Sequence, residues 1–238
     1  LAKIIKPKKI TPTALEFIDI AGLVKDAHRG EGLGNKFLAH IREVDSVAHV
    51  VRCFKDENIA RIGDESDPAA DLDTIDTELI LRDIESIEAQ LEKARSKAKS
   101  GKKEDIKALK FLELVDDWLA KGERAATFDI EGMTDDEKNL KKSFFLLTDK
   151  PVLIIANVDN SSPEALLQEP NYQKLKAFCD GRGLPLVPVA AQIEAEISEL
   201  PAEERQAFYE EMGLKESALA RLILQGYDTL SLITYFTG

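Results

Sequence analysis

PVLIIANVDN, residues 151–160, decides the fold. From Val152 to Ala156 every side chain is apolar. A strand with one wet face alternates apolar and polar residues, so an unbroken apolar run needs cover on both faces, the situation of a parallel strand between layers of helices. DSVAHVVRCF (45–54) and LPLVPVAA (184–191) read the same way, and ALEFIDI (14–20) reads as a further strand. Helical stretches at Asn35–Val44 and Asn171–Asp180 lie between these runs. The alternation predicts β-α-β crossovers and a doubly wound α/β sheet. Further helix follows in AEERQAFYEEMG (202–213) and ESALARLILQGY (216–227).

Outward from the sheet, residues 73–126 keep a different rhythm. Ile80, Ile84, Ile87, Leu91, Ala94 and Ala98 recur at alternating four- and three-residue steps. After Ser100-Gly101 the series Ala108, Leu112, Val115, Leu119 does the same. This predicts an antiparallel α-helical coiled-coil hairpin inserted into the sheet domain. Its first arm reaches ~37 Å at 1.5 Å per residue, and the small residues near the turn let the two backbones approach.

At 238 residues with 44% apolar content, the chain can bury a sizeable core in one or two domains. Cys53 and Cys179 lie far apart among apolar neighbours, which excludes a disulfide framework and fits a reducing, cytoplasmic setting. No apolar run approaches the ~18 residues of a membrane span, and LAKIIKPKK lacks the core of a signal peptide. The net charge of −12 argues against indiscriminate nucleic-acid binding, DNA included. Lys93, Arg95, Lys97, Lys99, Lys102, Lys103, Lys107 and Lys110 nevertheless crowd around the hairpin turn. A solvated helical tip and a patch for an anionic partner both account for them.

The stretch DIAGLVKDAHRGEGLGNKFLAHIRE (19–43) carries chemistry. Asp19 at a strand end, followed by two residues and Gly22, suits a phosphate site: the carboxylate reaches a metal-bound water, and the glycine amide approaches a terminal phosphate unobstructed. Gly30, Gly32 and Gly34 add a loop before the helix. Four letters alone are common in proteins. The longer string closely resembles the second switch of the Obg-like branch of P-loop GTPases, and HVVRCF, IANV, VPVAAQIEAEISEL and the closing LITYFTG resemble, in order, the YchF family of Obg-like ATPases.

The resemblance implies a P-loop NTPase that binds ATP and hydrolyses it slowly, associates with ribosomal RNA or protein, and regulates translation or stress responses. The alternatives are an Obg-type GTPase, or a nucleotide-switched ribosome-binding module with negligible turnover. By the same resemblance Asp19 stands behind Mg²⁺ through water, and Gly22 is the amide that senses the γ-phosphate. Where Ras-like enzymes place a glutamine to orient the attacking water stands Leu23, which neither donates nor accepts a hydrogen bond. The water must then be positioned by another side chain, by backbone, by a bound K⁺ or by a partner. His28 and Arg61 are the side-chain candidates; Arg61 stands where the family has a histidine. His40 and His49 read as ordinary helix and strand residues, and Asp26 replaces a more usual glycine.

Guanine-binding enzymes carry Asn-Lys-x-Asp, whose carboxylate accepts from the base. This chain has Asn157, Val158, Asp159 and Asn160, so the lysine and the final carboxylate that select guanine are both absent. The family it resembles usually carries Asn-x-x-Glu here and prefers ATP. Asn160 departs from that too, its amide suiting adenine's amino edge, while Val158 offers its backbone and an apolar surface to the ring, and Ala190 and Ala191 match the small-residue loop that closes over the base. No G-x-x-x-x-G-K-[ST] occurs in the chain. The resemblance places that phosphate loop upstream of Leu1, so the expectation is an incomplete view of a longer protein, inactive as it stands. The expected organisation is a nucleotide-binding core in two parts (1–72 and 127–230), the helical insertion (73–126), and the beginning of a TGS domain (231–238).

Overall fold

A computed structural model describes residues 14–20, 35–54, 67–129 and 132–233. In chain order the first elements are α1 (Asn35–Glu43), β1 (Val47–Arg52), the long α2 (Pro68–Ala98), α3 (Lys103–Leu119) and α4 (Asp135–Lys142). β2 (Val152–Asn157), α5 (Pro163–Gln168), α6 (Pro170–Arg182), β3 (Leu186–Val189), α7 (Ala191–Glu199), α8 (Ala202–Glu211) and α9 (Ala218–Thr229) complete them. The strands form one parallel sheet in the order β1-β2-β3.

The apolar runs dictate the layering. On one face Val51, Cys53, Ile154, Ala156 and Val158 pack with Leu72 of α2 and with Tyr172, Leu175 and Cys179 of α6. On the other, Leu153, Ile155 and Val187 meet Leu222 of α9. Helices thus cover both faces, as the unbroken run in β2 requires. Pro188 stands in the outer strand β3, where a residue without an N–H is tolerated.

Residues 14–20 correct one expectation: they form no strand, although ALEFIDI has a strand's composition. A strand exists only as part of a ladder, and among the described residues nothing pairs with this segment. It is held by side chains instead. Ile20 joins Phe37, Leu38, Ile41, Leu79 and Leu147 in an apolar cluster. Leu15 lies so close to α9 that a Cβ on Gly226 would meet its Cδ1 at 2.9 Å.

The long helix α2 starts at Pro68, five residues ahead of Asp73. Asp67 caps α2 by accepting from the Ala69 and Ala70 amides (3.1 and 3.2 Å), with Pro68 in the first turn. The predicted turn is present, Gly101 taking φ of 77°. α2 and α3 fold back on each other through Ile80, Ile87, Leu91, Leu112, Val115 and Leu119. Phe111, Phe128 and Phe144 widen this core at its base, Phe111 meeting the other two rings at 5.8 and 6.1 Å.

A polar clasp fastens that base to the sheet. Buried Asp83 of α2 accepts from the Leu147 and Thr148 amides (2.7 and 2.8 Å) and the Thr148 hydroxyl (2.7 Å), while Thr148 Oγ1 accepts from the Ala125 amide (3.0 Å). Asp76 pairs with Arg124, Arg124 donates to the Lys150 carbonyl (3.3 Å), and Lys150 Nζ donates to the Val44 carbonyl just beyond α1. Among the described residues no helix is long and apolar enough to cross a membrane.

Candidate functional site

The three strands end level: Arg52 lies opposite Asn157, and Asn157 opposite Val189. The loops beyond them form the carboxyl edge of the sheet, where open α/β folds hold their ligands. Asn157 ties these loops together. Its carbonyl accepts from the Cys53 amide (2.8 Å) and its side-chain Oδ1 from the Ala191 amide (3.4 Å), while the Val158 amide donates to the Val189 carbonyl (2.9 Å). Ala191 opens α7, and Ala190, in the cap position, supplies no side-chain acceptor, so other first-turn amides lack a cap.

Asp159 and Asn160 are exposed at the end of this loop. Asn160 Oδ1 accepts from the Ser162 amide (2.8 Å), and Ser162 Oγ in turn caps α5 by accepting from the Ala165 amide (3.3 Å). The Asn160 side-chain carbonyl therefore holds a turn, and its NH2 is the group left for other partners. Val158 is only 3% exposed, in the cluster beneath the sheet, so its side chain is closed to a ring and only its backbone borders the loop. Ser161, which carries no recognisable motif signal, is buried with an Oγ that has no partner among the described residues.

Asp19 is exposed beside Ile20. Gly22, Leu23, Asp26, His28, Gly30, Gly32, Gly34 and Arg61 lie outside the described residues. His40 is exposed on α1. His49 lies within β1, where burial pushes its pKa below the ordinary value and Arg124 adds to the shift, with Asp76 and Asp71 opposing it. Burial raises Cys53 to about 12 and Cys179 to about 11, so both remain inert thiols.

All eight basic residues at the hairpin end are exposed. Arg95 reaches Glu113 at 4.0 Å and Lys107 reaches Glu137 at 3.3 Å. Lys93, Lys97, Lys99, Lys102, Lys103 and Lys110 make no ion pair among the described residues.

Comparison with known proteins places this geometry in a lineage. Residues 3–89 match a family described as 50S ribosome-binding GTPase. The ribosome-binding ATPase YchF of Bacillus subtilis is 41% identical over all 238 residues, and that of Haemophilus ducreyi 43%. The solved Schizosaccharomyces pombe YchF GTPase is 32% identical and superposes over the whole chain with a TM-score of 0.81. The chain spans 64% of the length of each of these relatives. Along its entire length the chain is similar to YchF proteins, and it shares their parallel-sheet P-loop GTPase fold.

Proposed function

We propose that this chain is the nucleotide-binding part of an ATP-binding, slowly ATP-hydrolysing P-loop NTPase that associates with the ribosome in the cytoplasm and regulates translation or stress responses. The observation that carries the choice of base is the Asn157–Asn160 loop. It stands at the carboxyl edge of the sheet, latched to Ala191, and ends in an amide tied to Ser162 rather than in a carboxylate. Guanine's N1 and N2 donors find no acceptor of the usual kind there. The Asn160 side-chain NH2, the Val158 backbone and the Ala190–Ala191 turn are the groups this loop offers to adenine.

Asp19 is the carboxylate for a hydrated Mg²⁺: it is exposed and enters no salt bridge among the described residues. Those residues hold no group of three or more metal-ligating side chains. Magnesium is held by one or two carboxylates together with phosphates rather than by a protein cage. The ion's contribution is to neutralise phosphate charge. Gly22 senses the γ-phosphate, and Leu23 leaves the attacking water without a side-chain partner, so turnover is slow. His28, Arg61, backbone, a bound K⁺ or a partner supplies the positioning. The core occupies 1–72 and 127–230, the coiled-coil insertion 73–126, and the TGS domain begins at 231–238. The 238 residues alone, without a G-x-x-x-x-G-K-[ST] loop, do not turn over ATP.

Competition titration of the complete protein tests the base. ATP is expected to bind at least as tightly as GTP, since unmatched guanine donors cost about 1–3 kcal/mol, roughly 5- to 150-fold. A clear preference for GTP rejects the reading and favours an Obg-type GTPase. A second reading, a nucleotide-switched binding module with negligible turnover, is favoured by the unpaired lysines of the hairpin end. Turnover without a partner, set against nucleotide-dependent co-sedimentation with ribosomes, separates the two.

A further inference from the structure

Phe145 is 73% exposed and adopts φ of 53°, a left-handed conformation that is an outlier for a bulky L-residue. Its neighbours hold it there. Phe144 turns inward onto Phe111, with its carbonyl accepting from Gln90 Nε2 (3.3 Å), and Leu147 is pinned by Asp83. The turn therefore sends one aromatic ring into the core and the next into solvent. Folding alone would favour glycine or asparagine at this position on both counts, conformation and exposure.

Phe144, the residue before Phe145, helps line a groove of about 240 Å³ between α2 and α3, towards the hairpin turn. Ala94, Ala108, Leu112 and Phe144 line it with apolar surface, and Lys93 and Lys97, one helical turn apart, add charge; Asp105 is its one carboxylate. Neither lysine has an ion-pair partner among the described residues. Flat exposed ring, apolar floor and paired cations together match an unpaired nucleotide, whose base has a π-face and whose phosphate is anionic.

We propose that this flank of the hairpin is a site for an unpaired nucleotide of an RNA loop, the base stacking on Phe145 and the flanking phosphates lying over Lys93 and Lys97. This deepens the ribosome-association reading and rests on it. The hairpin end supplies charge, which is indifferent to base pairing. The Phe145 flank supplies the preference for single strands.

The test uses the full chain and a single-stranded RNA decamer carrying one 2-aminopurine, set against the same sequence as a duplex. Wild type is expected to bind the single strand more tightly and to change the 2-aminopurine fluorescence. Phe145→Leu should weaken single-strand binding about 5- to 100-fold with an unchanged salt slope, while Phe145→Trp retains it. Lys93→Glu/Lys97→Glu should flatten the slope by roughly 0.7 for every phosphate no longer neutralised. Phe145→Leu binding as wild type, or a preference for duplex, overturns the proposal. Failure of wild type to bind ribosomes at all overturns the underlying reading instead.

Discussion

His49 sits within β1, with Asp76, Asp71 and Arg124 the charged groups acting on it. Burial holds its folded pKa below the ordinary 6.5, with the two aspartates only partly offsetting it. A lowered folded pKa means that the fold prefers the neutral ring. The resulting stability is present above about pH 6.5 and is lost as pH falls through that value toward the lowered one. Urea melts at pH 7.5 and 5.5 should show wild type losing more stability on acidification than His49→Gln; equal losses in both sink the account. The sequence identified His49 as a strand residue and no more, because its surroundings come from residues more than twenty positions away. The same limit applies at Asn160: its departure from a carboxylate was legible, whereas its use by the Ser162 amide depended on a turn geometry that no motif encodes. Val158 shows the converse, an apolar residue beside a binding loop that belongs to the core.

Among the elements, α2 carries the connection between hairpin and sheet, and Asp83 is its central anchor. The carboxylate is 1% exposed and satisfies three donors from the segment leading into β2. Asp83→Ala would strand those donors in a buried site, at a cost of about 3–5 kcal/mol by denaturant unfolding, and Asp83→Asn should fall between it and wild type. A loss below about 1 kcal/mol for the alanine variant would mean that apolar packing alone fastens the hairpin. The seam of this helix was legible as Ile80, Ile87 and Leu91, but its polar members were missed. Asp76, Ile80, Asp83 and Ile87 are spaced four, three and four residues apart, so both aspartates lie on the same stripe as the isoleucines. Their charge argued for solvent, and only their distant partners, Arg124 and Thr148, overturn that. The start of α2 was written in Asp67-Pro68, a capping residue before a first-turn proline, and the α4 capping box in Thr134 and Glu137. Residues 14–20 failed for the opposite reason: composition fits a strand to a sheet but supplies no partner.

Across the whole molecule, charge is distributed against the average. A chain of net charge −12 carries its largest positive cluster at the end of its longest described helix, more than thirty residues along the chain from either neighbouring strand. A basic tip on an acidic body orients the molecule in the field of a polyanion, repelling the body while drawing in the tip. The clasp at the hairpin base, which also reaches the Val44 carbonyl beyond α1, leaves that tip as an arm fixed to the sheet rather than a free tether. Lys99, Lys102 and Lys103 are exposed, unpaired among the described residues and outside the apolar seam, so reversing all three to glutamate should leave unfolding midpoints, and the ATP turnover of the complete protein, unchanged. Ribosome co-sedimentation across a salt series should weaken, with the log–log slope shallower by roughly 0.7–0.9 for each phosphate that the variant no longer neutralises. Because stacking at Phe145 does not release counterions, the triple variant should change the slope and Phe145→Leu should not. An unchanged slope in the triple variant would reduce these lysines to solubilising groups and place the proposed ribosome contact elsewhere in the protein.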